Sequence, residues 1–236
     1  MTVTFETKCW EKDWRSVLNP VHIESIVGRH TTEFVERRML VNNVQDPGEA
    51  MKAAEDLVKR GLLTSAVFVP DYVEPALMAF GLTAEDLGKG YWYSTAEIVG
   101  IRLCTTKYLL HYASDTALAH RSDWADRGCA VLAARTDVTC VNPVWNGRLR
   151  EAAIAALTED ASYYYGRGFS DQCYLVEAAR WREADLTKIH PASERYPGYA
   201  VGLFEMRADS WMRHYGLLRA IDKTATYVHP ALPGSI

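Results

Sequence analysis

Hydrophobic positions change period repeatedly along this chain, and each change predicts an element. VTFETKCW, residues 3–10, alternates and is rich in β-formers, which predicts a strand; EKDWRSVL then brings charge and another period, as at a strand-to-helix turn. ERRMLVNNV, residues 36–44, predicts a second strand ending in the polar Asn42 and Asn43, with Asp46 just beyond. DPGEAMKAAEDLVKRG follows with helical spacing, Pro47 near its first turn and Gly61 as its stop. TSAVFVPD predicts a third short strand ending at Asp71, and the segment from there to Gly90 is polar and irregular with room for short helices. STAEIVGIRLCTT reads as a helix and KYLLHYAS as a fourth strand. Beyond residue 119, WADRGCAVLAA fits a short helix, DVTCVNPVW a strand and LREAAIAAL a helix, while GFSDQCYLVEAARWRE is expected to run from a glycine-rich turn into another helix.

Strands alternating with helices imply right-handed crossovers and a largely parallel sheet covered on both faces, so the fold class is α/β. In such sheets the ligand lies outside the carboxyl ends of the strands. Asn42, Asn43, Asp46, Asp71 and Asp115 all fall at such ends. No repeat or Pro/Ser-rich linker separates a second domain, so residues 1–118 and 119–236 are expected to be two halves of one domain.

Composition narrows the partners. The chain of 236 residues is 48% hydrophobic and 24% charged, as ordinary globular proteins are, and its formal net charge of -4 is spread without acidic or basic blocks. No electrostatic footprint for nucleic acid or an anionic membrane is present. The start MTVTFETKCW lacks a basic region followed by an apolar one, and no apolar run reaches spanning length, so a cytoplasmic location, with peripheral membrane association as an alternative, is expected. The five cysteines form no CxxC pair and are expected to be reduced and mainly buried.

Three residues could carry chemistry. Asp115, at the tip of KYLLHYASD, could be one of the few carboxylates that hold Mg²⁺ or Mn²⁺ beside phosphate oxygens and water, or could simply cap the next helix. Asp171, in GRGFSDQCYLVEAARW, is placed by this reading at or near a helix N-terminus, as a cap or as a base for an attacking hydroxyl. His229, in TATYVHPAL, could complete a metal shell or be structural. Among the many aromatic rings, Trp145 beside the NPVWNG turn and Tyr91 to Tyr93 beside a glycine pair are the better candidates for a site, the others suiting the core. No GxGxxG, GxxxxGK[ST] or GxSxG occurs, which argues against dinucleotide, P-loop and hydrolase-elbow chemistry.

Taken in order, KCWEKDW, LVNNVQD, AVFVPD, AEIVGIRLCTT and KYLLHYASD resemble the nucleotide-binding half of GT-A glycosyltransferases, in particular the inverting group called family 2. The resemblance implies nucleotide-sugar-dependent transfer to a hydroxyl acceptor with inversion, a UDP- or GDP-sugar as the expected donor, and a divalent cation, Mn²⁺ or Mg²⁺. Asp115 matches the metal-binding last position of the family's Asp-x-Asp motif. Ala113 stands where the first aspartate is found, which leaves metal-independent binding as an alternative. By the same likeness Cys9, Glu11, Asn42, Asn43 and Asp46 would lie around the nucleoside, and Arg102 and Lys107 near the ribose or diphosphate. Asp71, Ser114 and Trp145 complete the expected donor site. GFSDQCYLVEAAR is similar to the family's late motif whose carboxylate activates the acceptor, matched by Asp171, and YVHP to a late histidine metal ligand, matched by His229.

Three rivals are weighed against this. A sugar nucleotidyltransferase would open with a glycine-rich loop, and FETKCWEKDW has no glycine. A non-catalytic sugar-nucleotide or glycan-binding protein would bind donor without turnover, and an interaction protein using aromatic patches would show no nucleotide-induced stabilisation.

Overall fold

Val3–Cys9 is buried at almost every position and lies in the middle of the sheet, which is why the alternation there is imperfect: a strand covered on both faces has no solvent side to keep polar. The computed structural model describes residues 1–195 and 202–229. Its strands are β1 (Val3–Cys9), β2 (Glu36–Val41), β3 (Ser65–Phe68), β4 (Tyr108–Tyr112), β5 (Ala117–Leu118), β6 (Val138–Trp145), β7 (Ala156–Glu159), β8 (Tyr163–Gly166), β9 (Cys173–Glu177) and β10 (Leu218–Val228). The helices are α1 (Trp14–Val17), α2 (Pro20–Gly28), α3 (Pro47–Lys59), α4 (Val73–Ala79), α5 (Ala84–Leu87), α6 (Tyr91–Leu103), α7 (Trp124–Ala134), α8 (Leu149–Ala155), α9 (Ala178–Arg182) and α10 (Phe204–His214).

All the strands join one sheet in the order β3-β2-β1-β4-β9-β6-β10-β8-β7, with β5 paired to β10. Strands β3, β2, β1 and β4 are mutually parallel, and β6 runs parallel to β10. Against them run β9, between β4 and β6, and β8 and β5, both on β10. The fold is therefore an α/β single sheet, parallel through its first half and mixed through its second. Chain order reverses at β1: the next strand lies on one side of it and β4 on the other, so the crevice at the β1 and β4 carboxyl ends is a topological switch point.

Side chains alternate between two apolar layers. Phe5, Met39, Leu110 and Leu175 face α2, α3 and α7, whereas Leu40, Leu109, Tyr174 and Val176 face α4, α6, α9 and α10. All five cysteines are free and buried in these layers. Asp46 caps α3 by accepting from the Glu49 amide at 2.9 Å, Pro47 occupies its first turn, and Gly61 turns the chain out at φ +72°.

Several expectations fail. CYLVE is not helical but strand β9, because Cys173 to Val176 are all completely buried between β4 and β6, and a continuous apolar run of that length fits a two-sided strand. Asp171 therefore stands before a strand, not at a helix N-terminus. No helix begins after Asp115 either: β5 follows, and α7 starts after Asp123. Helix capping explains neither aspartate. LREAAIAAL is likewise helix only to Ala155, its end being β7.

Beneath the switch point the sheet carries buried charge. Glu6 on β1 accepts from Arg38 at 2.8 Å and meets His111 Nδ1 at 2.9 Å; the other His111 nitrogen lies 3.7 Å from Glu97, which pairs with Lys8. Glu6, His111 and Glu97 are fully buried. Burial pushes the Glu6 carboxyl up, but Arg38 and His111 outweigh it and hold it below its usual range. Gly100 makes room on α6, since a Cβ there would strike the Glu6 carboxylate.

Candidate functional site

The carboxyl ends of β1, β2 and β4 open onto a cavity of about 340 Å³. Its wall is built by Lys8, Cys9 and Trp10 after β1, Asn42 and Asn43 after β2, and Ala113, Ser114 and Asp115 after β4. Trp92 and Tyr93 reach it from the start of α6, which runs back across the sheet and so presents its N-terminal end here. Asp171, Gln172 and His229 close it from the second half.

Register brings the two aspartates together. Tyr112 on β4 faces Cys173 on β9, and the ladder continues one step through the Ala113 amide to the Gln172 carbonyl at 2.8 Å. The residues that follow β4 and those that precede β9 are thus neighbours at one sheet end. Asp115 meets His229 Nε2 at 3.1 Å, and both remain partly accessible, at 45% and 22% of the side chain. His229 is fixed from behind: its amide donates to Asn146 Oδ1 at 2.9 Å, and Asn146 Nδ2 donates to its carbonyl at 3.2 Å. Asn146 (φ +46°) and Gly147 (φ +68°) give the NPVWNG turn the left-handed backbone that aims this amide.

Charge in the cavity is balanced by pairing. Burial raises the Asp115 carboxyl, but the His229 bond and charge overcome it and hold it below normal, while the same bond raises His229. Burial alone would lower Lys8; Glu97, reinforced by Asp171 and Asp115, keeps it raised and cationic. Asp171 moves the other way: burial raises its carboxyl, Lys8 opposes, and Glu97 adds to the rise. Asn42 donates to the Trp92 carbonyl at 2.9 Å and to Thr95 Oγ1 at 3.2 Å, and its buried Oδ1 has no partner among the described residues. Ser114 donates to Asp13 at 2.6 Å, tying the β4 tip to the β1 turn.

Of the residues expected at the donor site, the structure brings Cys9, Asn42, Asn43, Ser114, Asp115, Asp171 and His229 to one cavity and leaves the others elsewhere. Glu11 accepts from the Gln45 amide at 2.7 Å, so it clamps the first turn to the second without lining the wall. Asp46 is engaged as the α3 cap. Asp71 is exposed in a short 3₁₀ turn after β3, an edge strand separated from β1 by β2. Arg102, in the last turn of α6, and Lys107, just before β4, stand at the opposite end of the sheet. Trp145 lines a different cavity. Sequence reasoning missed Lys8, Trp10 and Gln172; the signal for Lys8 was its alternation with Glu6 in a strand expected to be buried.

The second cavity, about 580 Å³, lies over β6, β10 and the segment between β8 and β9, beneath α8. Gln172 lines both cavities and accepts from the Tyr227 hydroxyl at 3.2 Å. Trp145 is 39% exposed at its margin, with Arg148 stacked 4.2 Å from the ring centroid.

Asp115 and His229 supply one oxygen and one nitrogen donor on an accessible wall, and no group of three or more His, Cys, Asp or Glu side chains converges among the described residues. That donor set fits a hard divalent cation completed by phosphate oxygens and water.

No protein-family model matches this sequence, and no curated protein does. Solved structures do match in fold. GalNAc-T7, solved with UDP, GalNAc and Mn²⁺, superposes with a TM-score of 0.63 at 12% identity over 100% of this chain, which spans 45% of that one. Glucosyl-3-phosphoglycerate synthase from Mycobacterium tuberculosis, solved with Mn²⁺, UDP and glucosyl-3-phosphoglycerate, gives 0.52 at 16% identity, covering 98% of this chain and 73% of that one. S. aureus TarS gives 0.50 at 12% identity, covering 100% and 38%. Together with the sheet order and the switch-point cavity, these superpositions establish that the chain has the GT-A glycosyltransferase fold.

Proposed function

We propose that this protein transfers a sugar from a nucleotide-diphosphate sugar to a hydroxyl acceptor with inversion, assisted by Mn²⁺ or Mg²⁺. Residues 1–118 supply most of the donor site and 119–236 the acceptor site. The observation that carries the reading is the placement of Asp115 and Asp171 on one cavity at the switch point, with a second cavity meeting it at Gln172. The complexes with UDP and Mn²⁺ on the same fold lend it support.

In this reading the donor occupies the first cavity, with its nucleoside among Asn42, Asn43, Trp92 and Tyr93. Asp115 and His229 would hold the cation, which would stabilise negative charge on the departing diphosphate. Lys8 adds a fixed positive charge on the same wall. Asp171 takes the proton of the acceptor hydroxyl. The acceptor oxygen forms its bond to the anomeric carbon as the carbon–phosphate oxygen bond breaks, and the electron pair leaves with the nucleoside diphosphate. A carboxyl raised by burial is a stronger base than a solvated one, which suits Asp171 to that step.

Thermal unfolding with UDP, GDP, CMP and dTDP nucleotides, each with Mn²⁺ and with EDTA, tests the site. A nucleotide at 100 times its dissociation constant should stabilise by about 2.7 kcal/mol. Stabilisation by one nucleotide, lost in EDTA and in Asp115→Ala, is the expected result. No stabilisation by any of them rejects the donor site.

A further inference from the structure

The second cavity is cationic although the chain as a whole is acidic. Four guanidinium groups line it, from Arg148, Arg167, Arg213 and Arg219, against the carboxylates of Glu151 and Glu205. Two of the four are already engaged: Arg148 pairs with Glu151 at 3.2 Å, and Arg213 with Asp209 at 2.8 Å. Arg167 and Arg219 form no ion pair among the described residues. Arg167 is braced by one bond, Nη1 donating to the Leu217 carbonyl at 2.8 Å. Arg219 Nε is buried without an acceptor among the described residues. A buried guanidinium N–H lacking an acceptor is costly, and the cost is relieved when a ligand supplies one.

We propose that this cavity selects a small acceptor bearing an oxyanion, phosphate or carboxylate, which Arg167 and Arg219 bind while the reacting hydroxyl faces the Gln172 wall. The assignment of the cavity to the acceptor rests on the transferase reading above; the anion preference rests on the arginines alone. Guanidinium forks match both oxyanions in geometry and charge, whereas a neutral hydroxyl would satisfy an N–H without giving either guanidinium an ionic partner. The cationic patch is local, since the net charge of -4 provides no general attraction for anions. A volume of about 580 Å³ is of small-molecule size. Arg219 and Ile221 alternate on β10 toward the cavity, so Arg219 is presented from a strand rather than from a mobile side of the surface.

Calorimetric titration of the full chain with glycerol 3-phosphate, glycerate and glycerol tests this, with the nucleotide panel run in parallel. Binding of at least one acid but not of glycerol is expected, and which acid binds distinguishes phosphate from carboxylate. Arg219→Gln should weaken that binding tenfold or more and leave nucleotide-induced stabilisation unchanged; Arg167→Gln is the second variant should the first fail to fold. Failure of both acids to bind, equal binding of glycerol, or acid affinity untouched by both variants overturns the proposal. Acid binding without any nucleotide effect would keep the anion site and reject the donor site; the reverse pattern would keep the donor site and reject the anion preference.

Discussion

The two cavities share a wall residue but are built on different principles. Around the first, nearly every charge is answered by another: Lys8 by Glu97, Asp115 by His229, Glu6 by Arg38 and His111. Around the second, Arg167 and Arg219 form no ion pair among the described residues, and α8 above it buries none of its side chains. The first is a prearranged polar pocket braced from within the sheet. The second is a cationic basin whose remaining charge is left for whatever enters. Fixed dipoles suit bond breaking at a defined position, and unanswered charge suits selection by ligand class.

Substitutions can sharpen that contrast. The largest effect is expected at Asp171→Asn, which should lower transfer by about 10² to 10⁴-fold while nucleotide-induced stabilisation is retained. Full transfer by this variant would remove Asp171 as the base. Next comes the bracing of the first cavity: Glu6→Gln strands Arg38 and should cost about 3–5 kcal/mol in urea unfolding, because one partner of a buried pair is lost.

Acid should expose the same asymmetry. His30 packs between Phe5, Phe34 and Tyr112, on the far side of β1 from Glu6, and burial lowers its pKa from an ordinary 6.5 to about 3. A base that is harder to protonate when folded leaves stability unaffected above pH 6.5 and erodes it as pH falls from there toward 3, because the unfolded chain binds the proton first. The loss should approach about 4 kcal/mol at the lower end, and His30→Phe should flatten the slope in a pH series of melting curves. Glu6, held below the usual carboxylate range, adds a further loss only as pH falls below about 4.5.

The smallest effect belongs to the second cavity's margin. Arg148 and Glu151 are both largely exposed, so Arg148→Ala should change unfolding free energy by less than about 1 kcal/mol and leave nucleotide binding alone. A large stability loss there would mean that α8 is braced as firmly as the first cavity.

How much of this was legible in the sequence follows from what each half is made of. The strand-helix alternation up to β4 is local, so period and turn residues placed β1 to β4, and the rule that ligands gather at strand carboxyl ends then picked out Asn42, Asn43 and Asp115. The same rule overreached at Asp71, because strand order, and with it the position of β3 at the edge, is not written in the period. Arg102 and Lys107 were misplaced by likeness alone: each stands where the chain enters β4, and side chains there cannot reach its far end. In the second half CYLVE has the apolar run of a strand but leads directly into the helix α9, which makes the whole stretch read as helical, so only its burial between β4 and β6 decides. The convergence of Asp171 with Asp115 depends on that pairing. Arg167, Arg213 and Arg219 come from a loop, a helix and a strand, and no local pattern links them.

Strand β10 has a consequence for how the polypeptide is made. It lies between β6 and β8, and among the described residues β8 with β7 pairs with the rest of the sheet only through it. A nascent chain halted before residue 218 would therefore carry a β7–β8 hairpin without the strand that joins it to the sheet, and an open flank on β6. Strands β6 and β8 must wait for one late strand, some fifty residues beyond β8, to unite them, so the cationic basin cannot exist on the emerging chain until that strand has left the ribosome.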